Sequence, residues 1–244
     1  MKKITLLLYL LLISSAVNGQ SISVSYVQIY AKIKPVIPVV NGWNGPDATP
    51  PTVSFSYEHF IKHKKYSFVV AYMKFNGCTL IYFEPGGWVA GGGNALAKGF
   101  CHGVKLHRFD LAYSYLVTKK SKKFYFKPFV GAGLQLSRKT GWEFGLPGLP
   151  IDGPHYFELE PMSAEPMNTT QIVPSLGFRT GFVFWKRLDI GLGVQGVYAF
   201  KPYQKMYLKY QYKGEVQPMA EYESTGTGLF VTLGVGYRFA KLIK

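Results

Sequence analysis

Cysteine, acidic side chains and long apolar runs are all in short supply in this chain of 244 residues. Only Cys78 and Cys101 are present, and with His102 and His107 they do not supply the paired ligand spacing of a zinc site. The two cysteines flank one gap between neighbouring strands. A bridge there closes a loop of about 22 residues and contributes about 3 kcal/mol in the chain-entropy picture, with two free buried thiols as the alternative. Acids number 13 against 28 Lys and Arg, for a formal net charge of +15. Such a balance raises nucleic acid as a partner, but the cations argue otherwise by their placement. Lys62, Lys64 and Lys65 share one short gap, Lys119, Lys120, Lys122 and Lys123 another, and Lys186 with Arg187 a third. Clustered at one rim of a barrel, they suit anionic lipid head groups or cell-wall polymer; ordinary solvated turns explain them equally.

After the N-terminus no apolar stretch approaches the roughly 20 residues that a membrane-crossing helix needs, because Gly, Pro or a charge interrupts each one. Residues 4–13 are apolar, preceded by Lys2 and Lys3 and followed by Ser14, Ser15 and Ala16. This reads as a secretory signal over residues 1–19, with Gln20 as the mature terminus; a retained anchor helix is the other reading, and the run is short for one. Export without a spanning helix leaves the periplasm, the exterior, or an outer membrane entered as a barrel.

What is plentiful is alternation. In the last segment Leu229, Val231, Leu233, Val235, Tyr237 and Phe239 share one face, while Gly228, Thr232, Gly234, Gly236 and Arg238 share the other. A period of two predicts strand, and an apolar, aromatic-edged face opposed to a Gly-rich, charged one suits a strand whose outer solvent is lipid. Eight segments follow from alternation and its breaks: 22–34, 52–60, 66–76, 103–118, 124–137, 171–184, 188–200 and 227–239. The gaps after the second, fourth and sixth are short, and those after the first, third, fifth and seventh are long. Strict alternation of short turns and long loops predicts an all-β, eight-stranded, antiparallel, up-and-down transmembrane barrel over residues 20–244. A soluble exported barrel would carry the reverse faces, with an apolar cavity and a polar outside.

The inward faces read as small or polar throughout. The inward charges are Glu58, Arg108, Asp110, Lys127, Arg179, Asp189 and Arg238, which in a narrow barrel predict an ionic network that plugs the lumen. Around Tyr26 and Val27 the pattern slips by one, which suggests a bulge. Past Tyr198 the alternation continues through Met206, Leu208, Tyr210 and Tyr212 against Lys201, Lys205, Lys209 and Lys213, so the seventh and eighth strands are expected to project as a hairpin or to carry a flexible loop.

On the Phe129-Val130-Gly131-Ala132-Gly133 stretch and the terminal Gly234-Val235-Gly236-Tyr237-Arg238-Phe239 strand, the chain resembles the small eight-stranded outer-membrane proteins of Gram-negative bacteria, the OmpA and OmpX type. Its basic turns and aromatic strands look like those of Bacteroidetes-type barrels. The resemblance implies a monomer in the bacterial outer membrane, with outer-membrane lipids and the outer-membrane assembly machinery as partners. Tyr237 and Phe239 would be its C-terminal assembly signal, although residues 240–244 follow.

Other motifs carry less. Gly191-Leu192-Gly193-Val194-Gln195-Gly196 fits a dinucleotide fingerprint but lies inside a strand rather than between strand and helix. No cofactor is expected. The five histidines, His59, His63, His102, His107 and His155, lack an adjacent serine nucleophile in the arrangement acyl transfer needs. Catalysis is therefore not expected. Trp88, Trp142, Phe144, Tyr156 and Phe157 stand on long, Gly- or Pro-rich segments and are candidate contacts for an unidentified external ligand. The sequence thus favours a non-catalytic surface-binding or envelope-structural barrel, with a narrow solute pore as the alternative and a lipid-modifying enzyme further behind.

Overall fold

The computed structural model describes residues 20–37, 42–44, 47–61, 65–83, 96–118, 123–139, 150–151, 157–159, 163–185 and 187–239. Eight long strands dominate. They are β1 (Gln20–Ile37), β2 (Asp47–Ile61), β3 (Tyr66–Phe83), β4 (Leu96–Tyr115), β5 (Phe124–Lys139), β6 (Thr170–Phe184), β7 (Leu188–Val197) and β8 (Ala220–Arg238). Each pairs antiparallel with its sequence neighbours, and β8 returns to pair with β1, from Ser21 opposite Arg238 to Ile37 opposite Glu221. The sheet is closed, so no strand of the barrel presents an unpaired edge to its surroundings.

The faces fall as the alternation dictates. Leu176, Ile172, Val130, Leu233 and Phe182 stand on the outside, with Leu176 exposed to 70% and Ile172 to 68%. Arg108, by contrast, is fully buried within the barrel. Aromatic pairs ring both ends of this apolar surface. At the short-turn end Phe124 meets Phe182 at 5.3 Å, Tyr66 meets Tyr115 at 5.1 Å and Tyr237 meets Phe239 at 5.4 Å. At the other end Tyr72 lies 4.8 Å from Phe109 and Tyr198 lies 4.9 Å from Phe200. Amphipathic rings at two levels flanking an aliphatic band match the interfaces and core of a bilayer.

Two expectations need correction. The inward faces are not uniformly small or polar: toward the long-loop end Val27, Ile29, Phe75, Leu106, Val173 and Phe230 point inside and form a tightly buried cluster with Tyr203. The slip at Tyr26 and Val27 is also absent. Tyr26 keeps its outward position and Val27 its inward one; what changes is the character of the inward residue, from serine to valine. The irregularity lies opposite, in β2, where Val27 faces Thr52 but Ile29 faces Thr49. Pro50 and Pro51 occupy that interval, and a residue without an N–H cannot sustain the ladder. The Gly191-to-Gly196 motif lies wholly within β7.

Several strands run further than the alternating cores suggested. Residues 220–224 of β8 pair with a short strand, Gln204–Leu208, which pairs in turn with Ser163–Pro166. Lys205 Nζ reaches Glu221 at 3.2 Å and Glu223 at 3.3 Å, and Lys34 approaches Glu223 at 3.6 Å. The two carboxylates hydrogen-bonded to Lys205 raise its pKa above the ordinary lysine value. The expected projection is thus an ordered sheet rather than a flexible loop. Beyond it, Tyr210–Tyr212 and Glu215–Val216 belong to a separate four-stranded sheet with Phe157–Leu159 and Pro150–Ile151, and are joined by a turn at Lys213 and Gly214, whose φ values of 54° and 77° suit glycine at the second position.

Candidate functional site

The lumen encloses a concentration of ionisable side chains, and the inward parity of the strands builds it in layers. Parity sends Glu58, Phe60, Tyr125, Lys127, Arg179, Asp189 and Arg238 inward near the short-turn end. Lys127 Nζ donates to Glu58 Oε1 at 2.7 Å, and Ser67 donates to the same oxygen. Arg238 grips Asp189 Oδ2 with two nitrogens, at 2.6 and 3.1 Å, while the Tyr125 hydroxyl donates to Asp189 Oδ1 at 2.6 Å. Arg179 approaches the same Asp189 oxygen no closer than 3.7 Å. Lys127 and Arg238 also lie over the rings of Phe60 and Tyr125, at 4.6 to 5.9 Å from the centroids.

A second ionic layer sits deeper. Arg108 donates to Asp110 Oδ1 through Nε at 2.9 Å and Nη2 at 2.6 Å, and its guanidinium covers the Phe230 ring at 4.9 Å. Beyond it toward the long-loop end begins the apolar cluster, where Phe75 meets Phe230 edge-on at 6.1 Å. Glycines make the crowding possible. A methyl group at Gly133 would overlap the Asp110 carboxylate and press on Arg108 Nε, and one at Gly191 would overlap the Tyr125 hydroxyl.

All seven lumen charges named from the sequence therefore face inside, but as separate groups: Glu58 with Lys127; Asp189 with Arg238 and, more loosely, Arg179; Arg108 with Asp110. Between the layers lies a cavity of about 110 Å³, bordered by Ser25, Ser54, Glu58, Lys127, Arg179 and Thr232 among others. The sequence reading omitted Tyr125 and Phe60. Each shares parity with an inward charge two residues away, Lys127 and Glu58, and that parity is the signal that finds them.

Outside the lumen, His107 faces outward and its Nδ1 lies 2.9 Å from the Tyr72 hydroxyl. No serine is bonded to it among the described residues. Register sets Cys78 directly opposite Cys101 on β3 and β4. Tyr237 and Phe239 project from the end of the barrel, with Arg187 donating to the Tyr237 hydroxyl at 2.6 Å. Trp88, Trp142, Phe144 and Tyr156 lie outside the described residues, as do His63, His155 and residues 1–19; Phe157 begins the short strand Phe157–Leu159.

The chain is an eight-stranded, membrane-type β-barrel. No protein-family model matches it, and no curated protein is similar to it in sequence. Among solved structures it is similar to the outer membrane protein OprG of Pseudomonas aeruginosa, at 8% identity and a TM-score of 0.49 over 91% of this chain and 97% of that one. A major outer membrane protein of Thermus thermophilus gives 10% identity and a TM-score of 0.42 over 90% and 99%. The attachment invasion locus protein Ail of Yersinia pestis gives 12% and 0.37 over 91% and 99%. The architecture of the present barrel stands on its own hydrogen-bonded register and on the division of its faces.

Proposed function

We propose that this is a non-catalytic, monomeric integral protein of the bacterial outer membrane. Its lumen serves as a packed core, and its external strands and loops carry out its task, binding a surface partner or supporting the envelope. One observation carries this reading: ionic groups and the Phe60 and Tyr125 rings beneath them fill the lumen on one side of the central cavity, and the apolar cluster around Phe230 fills it on the other. Breaking a buried pair by removing one partner is strongly unfavourable, so a solute has no cheap route through. The apolar belt supports lipid as the partner of the outer surface, and the aromatic Phe239 beside Tyr237 supports recognition by the outer-membrane assembly machinery. Nucleic acid, a cofactor and a metal have no part in this reading.

The polar cavity between the layers favours a narrow pore as the second reading. Recording from planar bilayers separates the two. The packed lumen predicts no steady unitary conductance from the purified, folded barrel. Steady channels that Glu58→Gln or Arg179→Gln alters would overturn it in favour of the pore.

A further inference from the structure

Lys74 on β3, Lys105 on β4 and Arg138 on β5 project from the outer surface of the barrel at its long-loop end, all exposed. Register draws them together. Lys74 stands opposite His107, Lys105 lies two residues further along the same strand, and Arg138 stands opposite Lys105. Facing residues on neighbouring strands hold their Cβ atoms about 5 Å apart, and like charges placed so repel. Elsewhere at this end the barrel sets carboxylates beside its lysines, Glu221 and Glu223 at Lys205 and Glu223 at Lys34. Among the described residues no carboxylate pairs with Lys74, Lys105 or Arg138.

Their height on the barrel indicates what supplies the missing charge. One row nearer the centre lie Tyr72, Phe109 and Leu134, the edge of the apolar belt. Lys74 is two residues beyond Tyr72 and Lys105 four beyond Phe109, which is about 7 and 14 Å along the strands. A strand tilt of about 40° reduces this to about 5 and 10 Å of height, the depth of the polar head-group layer above the hydrocarbon. The Tyr72 hydroxyl lies 2.9 Å from His107 Nδ1 and holds that ring among the three cations, each close enough to bear on it electrostatically. Ammonium and guanidinium groups on long apolar stems, gathered at this level, have the chemistry of a lipid-phosphate site.

We propose that Lys74, Lys105 and Arg138, with His107 between them, bind the phosphate of an acylated, phosphorylated glycolipid of the outer leaflet, of the lipid A kind. Its acyl chains then lie along Phe109 and Leu134. This deepens the outer-membrane reading and rests on it.

The folded barrel in zwitterionic detergent, titrated with lipid A and followed by native mass spectrometry, tests the site. Lipid A should be retained in preference to the same glycolipid stripped of its phosphates, a comparison that needs no substitution. The triple variant Lys74→Gln, Lys105→Gln and Arg138→Gln should weaken retention about a hundredfold. Lys119→Gln, Lys120→Gln and Lys122→Gln, which remove as much charge from the opposite rim, should leave it unchanged. Equal retention of the two glycolipids, or equal loss in the two triple variants, overturns the proposal. Displacement by equimolar inorganic phosphate also overturns it, since the site would then take a soluble anion. If the first triple variant does not fold, the comparison of the two glycolipids on the natural sequence decides the matter. Insertion into vesicles, followed by heat-shifted gel mobility, keeps the two readings apart. A barrel that inserts but shows no phosphate preference loses this site alone, whereas one that does not insert contradicts the outer-membrane reading as well.

Discussion

Glu58 illustrates how much of the lumen depends on single side chains. Its carboxylate accepts from Lys127 and Ser67, and Ser21 lies 3.5 Å from the other oxygen. Replacing Glu58 with Ala leaves the Lys127 ammonium buried without its partner, and urea unfolding in lipid vesicles should show a loss of about 3–5 kcal/mol. The double replacement Glu58→Leu with Lys127→Met removes both charges and should recover most of that loss, because the cost arises from the orphaned ion rather than from the missing bond. Equal losses in the single and double variants would contradict the pairing. Cys78 and Cys101 belong to the same scale. Their opposed positions in adjacent strands lead us to expect a disulfide. Non-reducing electrophoresis should show a faster band that slows on reduction, and Cys101→Ser should remove the difference at a cost of about 3 kcal/mol.

Among the elements, β6 gives the sharpest contrast between the faces. Leu176 projects outward in the middle of the strand while Gly177 and Arg179 point inside. Leu176→Arg should cost about 2–4 kcal/mol of folding stability in vesicles if that face meets acyl chains. In a water-soluble barrel the same exposed change would be close to neutral. Alternation made this strand and β8 legible in the sequence because their two faces differ so strongly in polarity. It was less telling where both faces are apolar: parity puts Phe230 with Gly228 and Thr232 on the inward face of β8, but Leu229, Phe230 and Val231 follow one another and blur the contrast between the faces. Packing across the lumen, which brings Phe230 against Phe75 and Arg108, reveals the apolar layer. In β1 the same change of inward character at Val27 mimicked a bulge, and the true irregularity was marked instead by Pro50 and Pro51 on the neighbouring strand. The inward charges were readable one by one, but their partners were not: Lys127 on β5 reaches Glu58 on β2 across the lumen, between strands that are not paired, whereas Arg108 turns to Asp110 on its own strand.

At the scale of the whole molecule the barrel reverses the usual arrangement of a soluble protein, with ion pairs and serines enclosed and leucines, valines and aromatic rings outermost. That reversal underlies the proposed non-conducting core, the aromatic rings at two levels and the outer-membrane location. The projecting sheet built from β8, Gln204–Leu208 and Ser163–Pro166 then stands beyond the lipid, held by Lys205 between Glu221 and Glu223. Spin labelling tests the reversal most directly. A nitroxide placed at Leu176→Cys or Leu233→Cys, in a protein with Cys78→Ser and Cys101→Ser, should relax strongly with oxygen, which concentrates in acyl chains, and weakly with a water-soluble nickel chelate. Strong relaxation by the nickel chelate and weak relaxation by oxygen at both positions would contradict the membrane-spanning barrel.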